Sequence, residues 1–178
     1  MVMYREYWNR GLMQRNRRHI LPFTHDFHMV SFFDGAAKNG TGGSGFVLYI
    51  NKDHIYHGWT GLATCTNNLS EFTAVWLLLY WAHRMDIREL KIYGDSQLVI
   101  GWLQGKIIIK AVSFSHQCSR IKELMKLFGQ IQIGHIYREH NMEVDTLSKL
   151  GIGCTEGILQ VEEVHGGSHK RNYEHRIY

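Results

Sequence analysis

Four acidic residues lie where a folded core has no evident need for charge, namely Asp34, Glu71, Asp95 and Asp145. Asp34 ends an alternating apolar run and Asp95 directly follows another, so both carboxylates are expected at strand ends. Glu71 has the four-residue spacing to Val75 that puts it on the buried stripe of a helix. Because an unpaired buried carboxylate is costly, such a group needs a cation.

Each carboxylate also has a purely structural interpretation. Glu71 fits a capping-box variant, Asp95 could cap a helix, and Asp145 could complement a helix dipole. Together these interpretations leave Asp34 unexplained. Hard oxygen ligands favour magnesium, with manganese as a substitute. Two such ions about 4 Å apart can activate a water on one side of a phosphodiester and stabilise the leaving oxygen on the other.

The elements that would position these residues follow from the hydrophobic pattern. Three β-rich runs precede a long helix with Asn68 as its expected cap, and a turn is expected at the glycines of 40–43. The predicted strands are 29–34, 45–50, 54–59, 90–93 and 131–137, and the predicted helices are 69–85, 96–103, 115–128 and 142–150. This order predicts an α/β fold with a mixed five-stranded sheet, three strands antiparallel and then two parallel, flanked by helices.

Charge and composition divide the chain into three parts. We expect a basic N-terminal arm or linker at 1–26, a folded domain at 27–155 and a flexible C-terminal tail at 156–178. The whole formal charge of +4 lies before Asp26, in five arginines against Glu6. Arginines among aromatic residues suit sequence-independent attraction to phosphates, although a solvated linker is an equally good interpretation.

Other features exclude several classes of protein. No apolar run is long enough to cross a membrane, and charges near Met1 argue against a signal peptide. Three widely spaced cysteines offer neither a disulfide framework nor a CxxC zinc site, and the twelve histidines show no metal-binding spacing. We therefore expect a soluble, intracellular and monomeric protein, in the nucleus or the cytoplasm.

Four segments, in order and spacing, resemble type 1 ribonuclease H. They are Phe-Phe-Asp-Gly-Ala at 32–36, Thr-Asn-Asn-Leu-Ser-Glu at 66–71, Ile-Tyr-Gly-Asp-Ser-Gln at 92–97 and Asn-Met-Glu-Val-Asp at 141–145. The likeness covers 27–151. It is greatest to the version in plant non-LTR retrotransposons, where a phrase such as His-Ile-Tyr-Arg-Glu-His-Asn, here at 135–141, precedes the last aspartate.

The resemblance implies a ribonuclease H-like fold and cleavage of the RNA strand of RNA/DNA hybrids, leaving 3′-hydroxyl and 5′-phosphate ends. It implies that two magnesium ions are held by the catalytic residues Asp34, Glu71, Asp95 and Asp145. It also implies contacts with the hybrid from Gly35, Thr66, Asn67, Asn68 and Gln97. A reverse transcriptase in the same polyprotein is the partner that such an origin suggests.

Departures from the family leave other interpretations open. Neither His135 nor His140 clearly matches the mobile histidine of cellular members, and 106–110 is too short and apolar for their basic handle. Gly94-Asp95-Ser96 echoes the nucleophile motif of GDSL hydrolases, but no DxxH follows it. The main alternative is a catalytically weak or inactive retroelement-derived module that binds nucleic acid or a protein partner.

Overall fold

The computed structural model describes residues 29–178, whose strands form one seven-stranded sheet. The strands are β1 (Met29–Lys38), β2 (Thr41–Asn51), β3 (His54–Leu62), β4 (Glu89–Gly94), β5 (Gln130–His135), β6 (Ile158–His165) and β7 (His169–Arg176). Their order is β5-β4-β1-β2-β3-β6-β7. The sheet is mixed, because β4 runs parallel to β1 and β5, whereas the other neighbours are antiparallel. The α/β class is confirmed, but the predicted number of five strands is wrong.

Four α-helices connect these strands within the described part of the chain. They are α1 (Asn67–Arg84), α2 (Gln97–Leu103), α3 (Val112–Met125) and α4 (Met142–Gly151), with a 3₁₀ turn at Arg138–His140 before α4. Thr66, not Asn68, caps α1, since its extended backbone lets Oγ1 accept from the Leu69 N–H at 3.3 Å. The predicted cap was therefore two residues too late.

The helices cover the two faces of the sheet and divide its core. Phe33, Phe46 and Leu48 face a large apolar cluster built mainly from α1, with contributions from α2 and α3. Phe32 and Val47 face a smaller cluster that Val144 of α4 completes. This alternation along β1 and β2 is the period-two pattern of strands buried on both sides.

The glycine cluster after β1 serves packing as well as the turn. Only Asn39 and Gly40 form the turn, with φ of 53° and 79°, and β2 already begins at Thr41. Gly43 lies inside the strand, where a Cβ would come within 2.1 Å of the Ser148 carbonyl oxygen in α4. The glycine therefore lets α4 approach the sheet closely.

The prediction of a flexible tail at 156–178 is corrected by the last two strands. β6 pairs with β3, and β7 pairs with β6 after a turn at Gly166 and Gly167, both with positive φ. The two strands were not predicted because β6 buries only Leu159, Val161 and Val164 in the core, and β7 is a largely exposed edge strand. Such an edge carries polar residues and shows little hydrophobic alternation.

Two further expectations concern the basic arm and the absence of a membrane-spanning segment. The proposed basic arm at 1–26 lies outside the described residues. Between residues 29 and 178, no helix has the length and apolar character that crossing a membrane requires.

Candidate metal centre

Two neighbouring strands bring Asp34 and Asp95 to the same place. β1 and β4 are parallel, with Phe32 opposite Tyr93 in their register. Each aspartate follows its paired aromatic residue by two positions, so both side chains leave the same face at the same end of the sheet. The parallel pairing of β1 with β4 is therefore what brings the two carboxylates together.

Helix α1 supplies the third carboxylate, because its first turn lies against β1. A Cβ on Gly35 would come within 2.3 Å of the Glu71 backbone nitrogen, so only glycine permits this approach. Ser44 fixes the same turn by donating from its buried hydroxyl to the Ser70 carbonyl at 2.7 Å. Gly35 thus sets the distance between Asp34 and Glu71.

Asp34, Glu71 and Asp95 form one group. Each offers a carboxylate oxygen, and these oxygens lie within 4.8 Å of one another. Asp34 is only 5% exposed, and Glu71 Oε2 is buried without a hydrogen-bond partner. A buried oxygen left unpaired in this way is what a bound cation would satisfy.

Asp145, the fourth predicted ligand, lies outside this group of three. It is close enough to raise the pKa of Asp34 by repulsion, but its Oδ2 accepts from Lys149 Nζ at 2.7 Å one helical turn away. Ser148 Oγ, at 3.4 Å from Asp34 Oδ2, links the same helix to the centre. The structure thus brings three of the four predicted carboxylates together and places the fourth beside them.

Burial and mutual repulsion shift the acidity of the centre. Burial, with repulsion from Asp95, raises the pKa of Asp34 to about 7. Burial, with repulsion from Asp34, raises the pKa of Glu71 to about 10, and the Gly35 N–H counters part of both shifts. Without a cation, the site therefore favours a proton held by Glu71 and shared with Asp34.

The donor set suits a hard divalent cation. The group consists of carboxylate oxygens, with no thiolate or imidazole in it, and hard oxygens are the ligands of magnesium and manganese. A cation would relieve the repulsion and satisfy Glu71 Oε2. The residues present therefore fit the metal that the sequence predicted.

The residues predicted to contact nucleic acid lie around the centre. Thr66, Asn67 and Asn68 form the exposed start of α1, immediately before Glu71. Asn67 Oδ1 accepts from the Ala37 N–H at 2.9 Å, so this side chain also ties α1 to β1. Gln97 is exposed at the start of α2, two residues after Asp95. Their contacts with nucleic acid stay a prediction.

Three basic residues lie between the end of β5 and the start of α4, and one of them holds the loop at Asp95. His135 Nε2 lies 3.0 Å from the Asp95 carbonyl oxygen, and since a carbonyl only accepts, this nitrogen carries the proton. Arg138, which is 90% exposed, has Nε 3.5 Å from Asp95 Oδ2. His140 is buried, and its Nε2 makes no hydrogen bond to residues 29–178.

Sequence reasoning missed Asn141, which hydrogen bonds to the middle of β1. Its buried Nδ2 donates to the Phe33 carbonyl at 3.0 Å, directly before Asp34. The residue also precedes α4, whose Asp145 N–H bonds to the Asn141 carbonyl at 3.1 Å. A polar residue at a helix start reads as an ordinary cap, so only its burial reveals the contact with β1.

The serine-hydrolase alternative has no support from Ser96. Its hydroxyl accepts from the Val99 N–H at 3.3 Å and caps α2. Among the residues that the structure describes, no histidine hydrogen bonds to this hydroxyl, so the base that a serine nucleophile requires is missing.

The prediction that Asp34 ends its strand is wrong, because β1 continues to Lys38. A mixed sheet covered by helices, with acidic residues within β1, directly after β4 and in the first turn of α1, defines a ribonuclease H-like fold. A family model described as reverse transcriptase-like matches residues 32–151. Since this is more than half of the sequence, the chain belongs to that family. The match includes all four predicted carboxylates and ends before the β6–β7 hairpin.

Relatives with known names agree with this membership. Ribonuclease HI of Halobacterium salinarum is 29% identical over 121 residues, which are 66% of this chain and 61% of that protein, so the chain spans less than two thirds of its relative. The crystal structure of RNase H1 from the same archaeon has a TM-score of 0.66 at 27% identity, covering 70% of this chain and 96% of that one. Both are proteins to which this chain is similar, in sequence and in fold.

A second solved structure is similar in fold alone. The crystal structure of LC11-RNase H1, isolated from compost and in complex with an RNA/DNA hybrid, has a TM-score of 0.61 at 22% identity. The likeness covers 70% of this chain and 96% of that chain.

Proposed function

We propose that this chain hydrolyses the RNA strand of RNA/DNA hybrids, leaving 3′-hydroxyl and 5′-phosphate ends. One observation carries the proposal, namely that three carboxylate oxygens of Asp34, Glu71 and Asp95 lie within 4.8 Å of one another around an unpaired buried oxygen. The names of the relatives support this choice of reaction, since they include a ribonuclease HI and an RNase H1.

The carboxylates would hold the cations and, through them, the phosphate to be cut. Magnesium, or manganese in its place, supplies positive charge that lowers the pKa of water and stabilises the leaving oxygen. Asp34 and Glu71 give the site its negative charge once they lose the proton they share. Asp95, whose loop His135 holds, completes the group, and Asp145 joins it when Lys149 releases its side chain.

Exposed amides around the centre would decide which strand is cut. Asn67, Asn68 and Gln97 flank the carboxylates, and Gly35 presents its backbone there. Amides can contact groove edges and 2′-hydroxyls, the groups that distinguish RNA from DNA. Thr66 is committed to capping α1, so its part is to hold the amides in place.

A second candidate function is nucleic-acid binding without cleavage. Lys149 neutralises Asp145 at 2.7 Å, and Arg138 approaches Asp95 at 3.5 Å, so two cations occupy positions next to the proposed metal ligands. If these contacts persist with substrate bound, they compete with metal and leave a catalytically weak or inactive module.

The origin of the chain is part of the same proposal. The phrase at 135–141 resembles that of plant non-LTR retrotransposons, and the matched family model is described as reverse transcriptase-like. We infer a retroelement origin, in which a reverse transcriptase of the same polyprotein would supply the hybrid.

One gel assay separates the two candidate functions. Labelled hybrid, duplex DNA and duplex RNA are incubated with the protein in magnesium and in EDTA, beside Asp95→Asn. We expect cleavage of the RNA strand of the hybrid alone, only with metal, and none by the variant, which should remain folded. Binding without cleavage in magnesium would favour the second candidate. Equal cutting of duplex DNA, or full activity of Asp95→Asn, would end the ribonuclease H proposal.

A further inference from the structure

A cavity of about 260 Å³ lies on the flank of α1, away from the carboxylates. Leu69, Thr73 and Trp76 line it from the first half of α1, and Gln117 and Arg120 line it from α3. The three residues of α1 are spaced by four and three positions, so they form one stripe of the helix. Glu71 lies between them in sequence and points to another side.

Arg120 gives the cavity a planar cationic wall. Its guanidinium lies over the Trp76 ring, 3.7 Å from the ring centroid, and Trp76 in turn stacks with Tyr80 at 5.1 Å. No carboxylate of the residues 29–178 forms an ion pair with this guanidinium. A half-buried guanidinium that lies over tryptophan can stack a second planar group on its other face.

Gln117 is the unusual residue of this cavity. It is only 7% exposed and lines the cavity, and its amide is not among the buried groups that lack a partner, so the amide is accessible from the cavity. An accessible amide on a cavity wall can hydrogen bond to a molecule that enters. An amide offers both a donor and an acceptor, which suits an edge carrying both kinds of group.

The charge of the cavity argues against an anion as that ligand. Glu156 lines the same cavity as Arg120, so their formal charges cancel. A phosphate would meet the carboxylate as well as the guanidinium. A flat, uncharged group with hydrogen-bonding edges fits better, and the volume lies just below the ~300 Å³ at which drug-sized sites begin, as suits a single ring system.

We propose that this cavity binds an unpaired nucleobase, which stacks on Arg120 and is hydrogen bonded by Gln117. The proposal that this base belongs to a bound nucleic acid rests on the proposed function. Helix α1 carries both the cavity and Glu71, so a hybrid bound at the carboxylates would lie near the cavity. A helix is ~10–12 Å across with its side chains, about three nucleotide steps of ~3.4 Å. An unpaired extension or flap on a bound hybrid would therefore reach from the carboxylates to the cavity, and the site would favour such substrates over blunt ones.

Nuclear magnetic resonance tests the cavity without any cleavage. Adenosine and inorganic phosphate are titrated separately into isotope-labelled protein, and the Gln117 side-chain amide and Trp76 indole signals are followed. Adenosine should shift both, and phosphate should shift neither. Arg120→Lys keeps the charge but loses the plane, and Gln117→Leu keeps the size but loses the amide, so each should weaken adenosine binding about tenfold. Lys122→Met, an exposed change on the same helix, is the control and should bind as the parent does.

A second measurement connects the cavity to nucleic acid. Hybrids with and without a single-stranded 2-aminopurine extension are compared by fluorescence and by KM. The extension should lower KM for the parent and for Lys122→Met, but not for Arg120→Lys, while blunt hybrid is cut equally by all three. Adenosine binding in a protein that cuts no hybrid would leave the cavity proposal standing while the nuclease proposal fails. Phosphate shifts without adenosine shifts, or variants that bind adenosine as the parent does, would overturn the cavity proposal.

Discussion

Asp34, Glu71 and Asp95 show how a fold can hold groups that oppose its own stability. Burial alone would keep one of them protonated, and their repulsion adds to that effect. The carboxylates are held close together by the backbone. Helix α1 packs directly against Gly35, and Asn141 hydrogen bonds to the Phe33 carbonyl next to Asp34. The remaining way to relieve the repulsion is to bind a cation, and this gives the centre its expected affinity for metal.

Magnesium should therefore raise the melting temperature of the protein. A ligand that binds only the folded state stabilises it by RT ln(1 + [L]/Kd), about 2.7 kcal/mol at a hundredfold excess over Kd. We expect this rise to vanish in Asp34→Asn, which removes a ligand and part of the repulsion. Asp53→Asn, an exposed change in the β2–β3 turn, should keep it. A thermal-shift series in magnesium and manganese checks this, and a parent melting curve that ignores both metals would contradict the metal centre.

At the residue scale, Asn68→Ala tests binding of the hybrid independently of its cleavage. It is exposed on the first turn of α1, and the loss of one of its hydrogen bonds to the hybrid should cost ~1–3 kcal/mol of binding. The measurement is hybrid affinity in an Asp95→Asn background, where the substrate stays intact. Asn172→Ala, an exposed asparagine on β7, is the control. Equal affinity of Asn68→Ala and this control would remove Asn68 from the interface.

At the scale of elements, a carboxylate of helix α4 hydrogen bonds to two strands of the sheet, in addition to the apolar contacts of Val144. Tyr49 of β2 donates to Glu143 Oε2 at 2.6 Å, and His57 Nε2 of β3 lies 2.8 Å from Oε1. Burial would raise the pKa of Glu143, but the hydrogen bonds from His57 and Tyr49 lower it. Glu143 precedes Asp145 by two residues, so this attachment also sets where the fourth carboxylate lies.

Glu143→Gln should loosen α4 and lower activity together. An amide cannot accept equally well from both partners, and we expect the free energy of unfolding to fall by ~1–3 kcal/mol. Chemical denaturation and kcat/KM measure the two effects. Glu123→Gln is the control, since Glu123 pairs with Lys126 on the exposed surface of α3. Unchanged stability and activity would show that the apolar contacts of Val144 suffice to hold α4.

The β6–β7 hairpin is held by another carboxylate, Glu163. Tyr173 donates to its Oε2 at 2.6 Å, and Tyr56 and His54 lie 3.1 and 2.7 Å from Oε1. Burial raises the pKa of Glu163, but the hydrogen bonds together have the larger effect and lower it from its ordinary value of 4.5. Tyr173 also packs against Trp81 of α1, so the cluster ties the edge of the sheet to its main core.

This lowered pKa makes the hairpin sensitive to acid. The stabilisation is fully present above pH 4.5, the ordinary value, and is lost as the pH falls through the lower folded value. The melting temperature of Glu163→Gln should therefore fall less steeply below pH 4.5 than that of the parent. Glu174→Gln, an equal change of charge at an exposed position of β7, should follow the parent. Parallel curves for all three proteins would exclude Glu163 as the sensitive group.

The same elements show what the sequence could and could not reveal. Period-two alternation predicted a strand at 29–34, although β1 continues to Lys38, and helical spacing predicted the buried direction of Glu71. The hairpin was missed because an edge strand such as β7 needs few apolar residues. Lys149 and Arg138 beside the carboxylates were missed because charge pairing depends on side-chain direction, which spacing alone does not fix. Gln117 and Arg120 were missed because a cavity between two helices has no local sequence pattern.

At the scale of the whole molecule, the net positive charge and the proposed metal ligands lie in different parts of the chain. The formal charges of residues 26–178 sum to zero, although this part contains every proposed metal ligand. A neutral domain with an acidic centre gains little from general attraction to a phosphate backbone. The excess of +4 lies in residues 1–25, so affinity for nucleic acid is expected to depend on a segment that takes no part in the chemistry.

Removal of residues 1–25 should therefore change binding and spare turnover. Each arginine that neutralises one phosphate adds ~0.9 to the slope of log Kd against log salt, so losing five should flatten that slope by up to about 4.5. Hybrid affinity of the full chain, the truncated chain and a chain with all five arginines changed to lysine is measured from low to high salt. The lysine variant should keep the slope, because phosphate attraction follows charge, and saturated kcat should be equal in all three. A slope unchanged by truncation would reduce the arm to a linker, whereas a loss of kcat would mean that the arm contributes to the site itself.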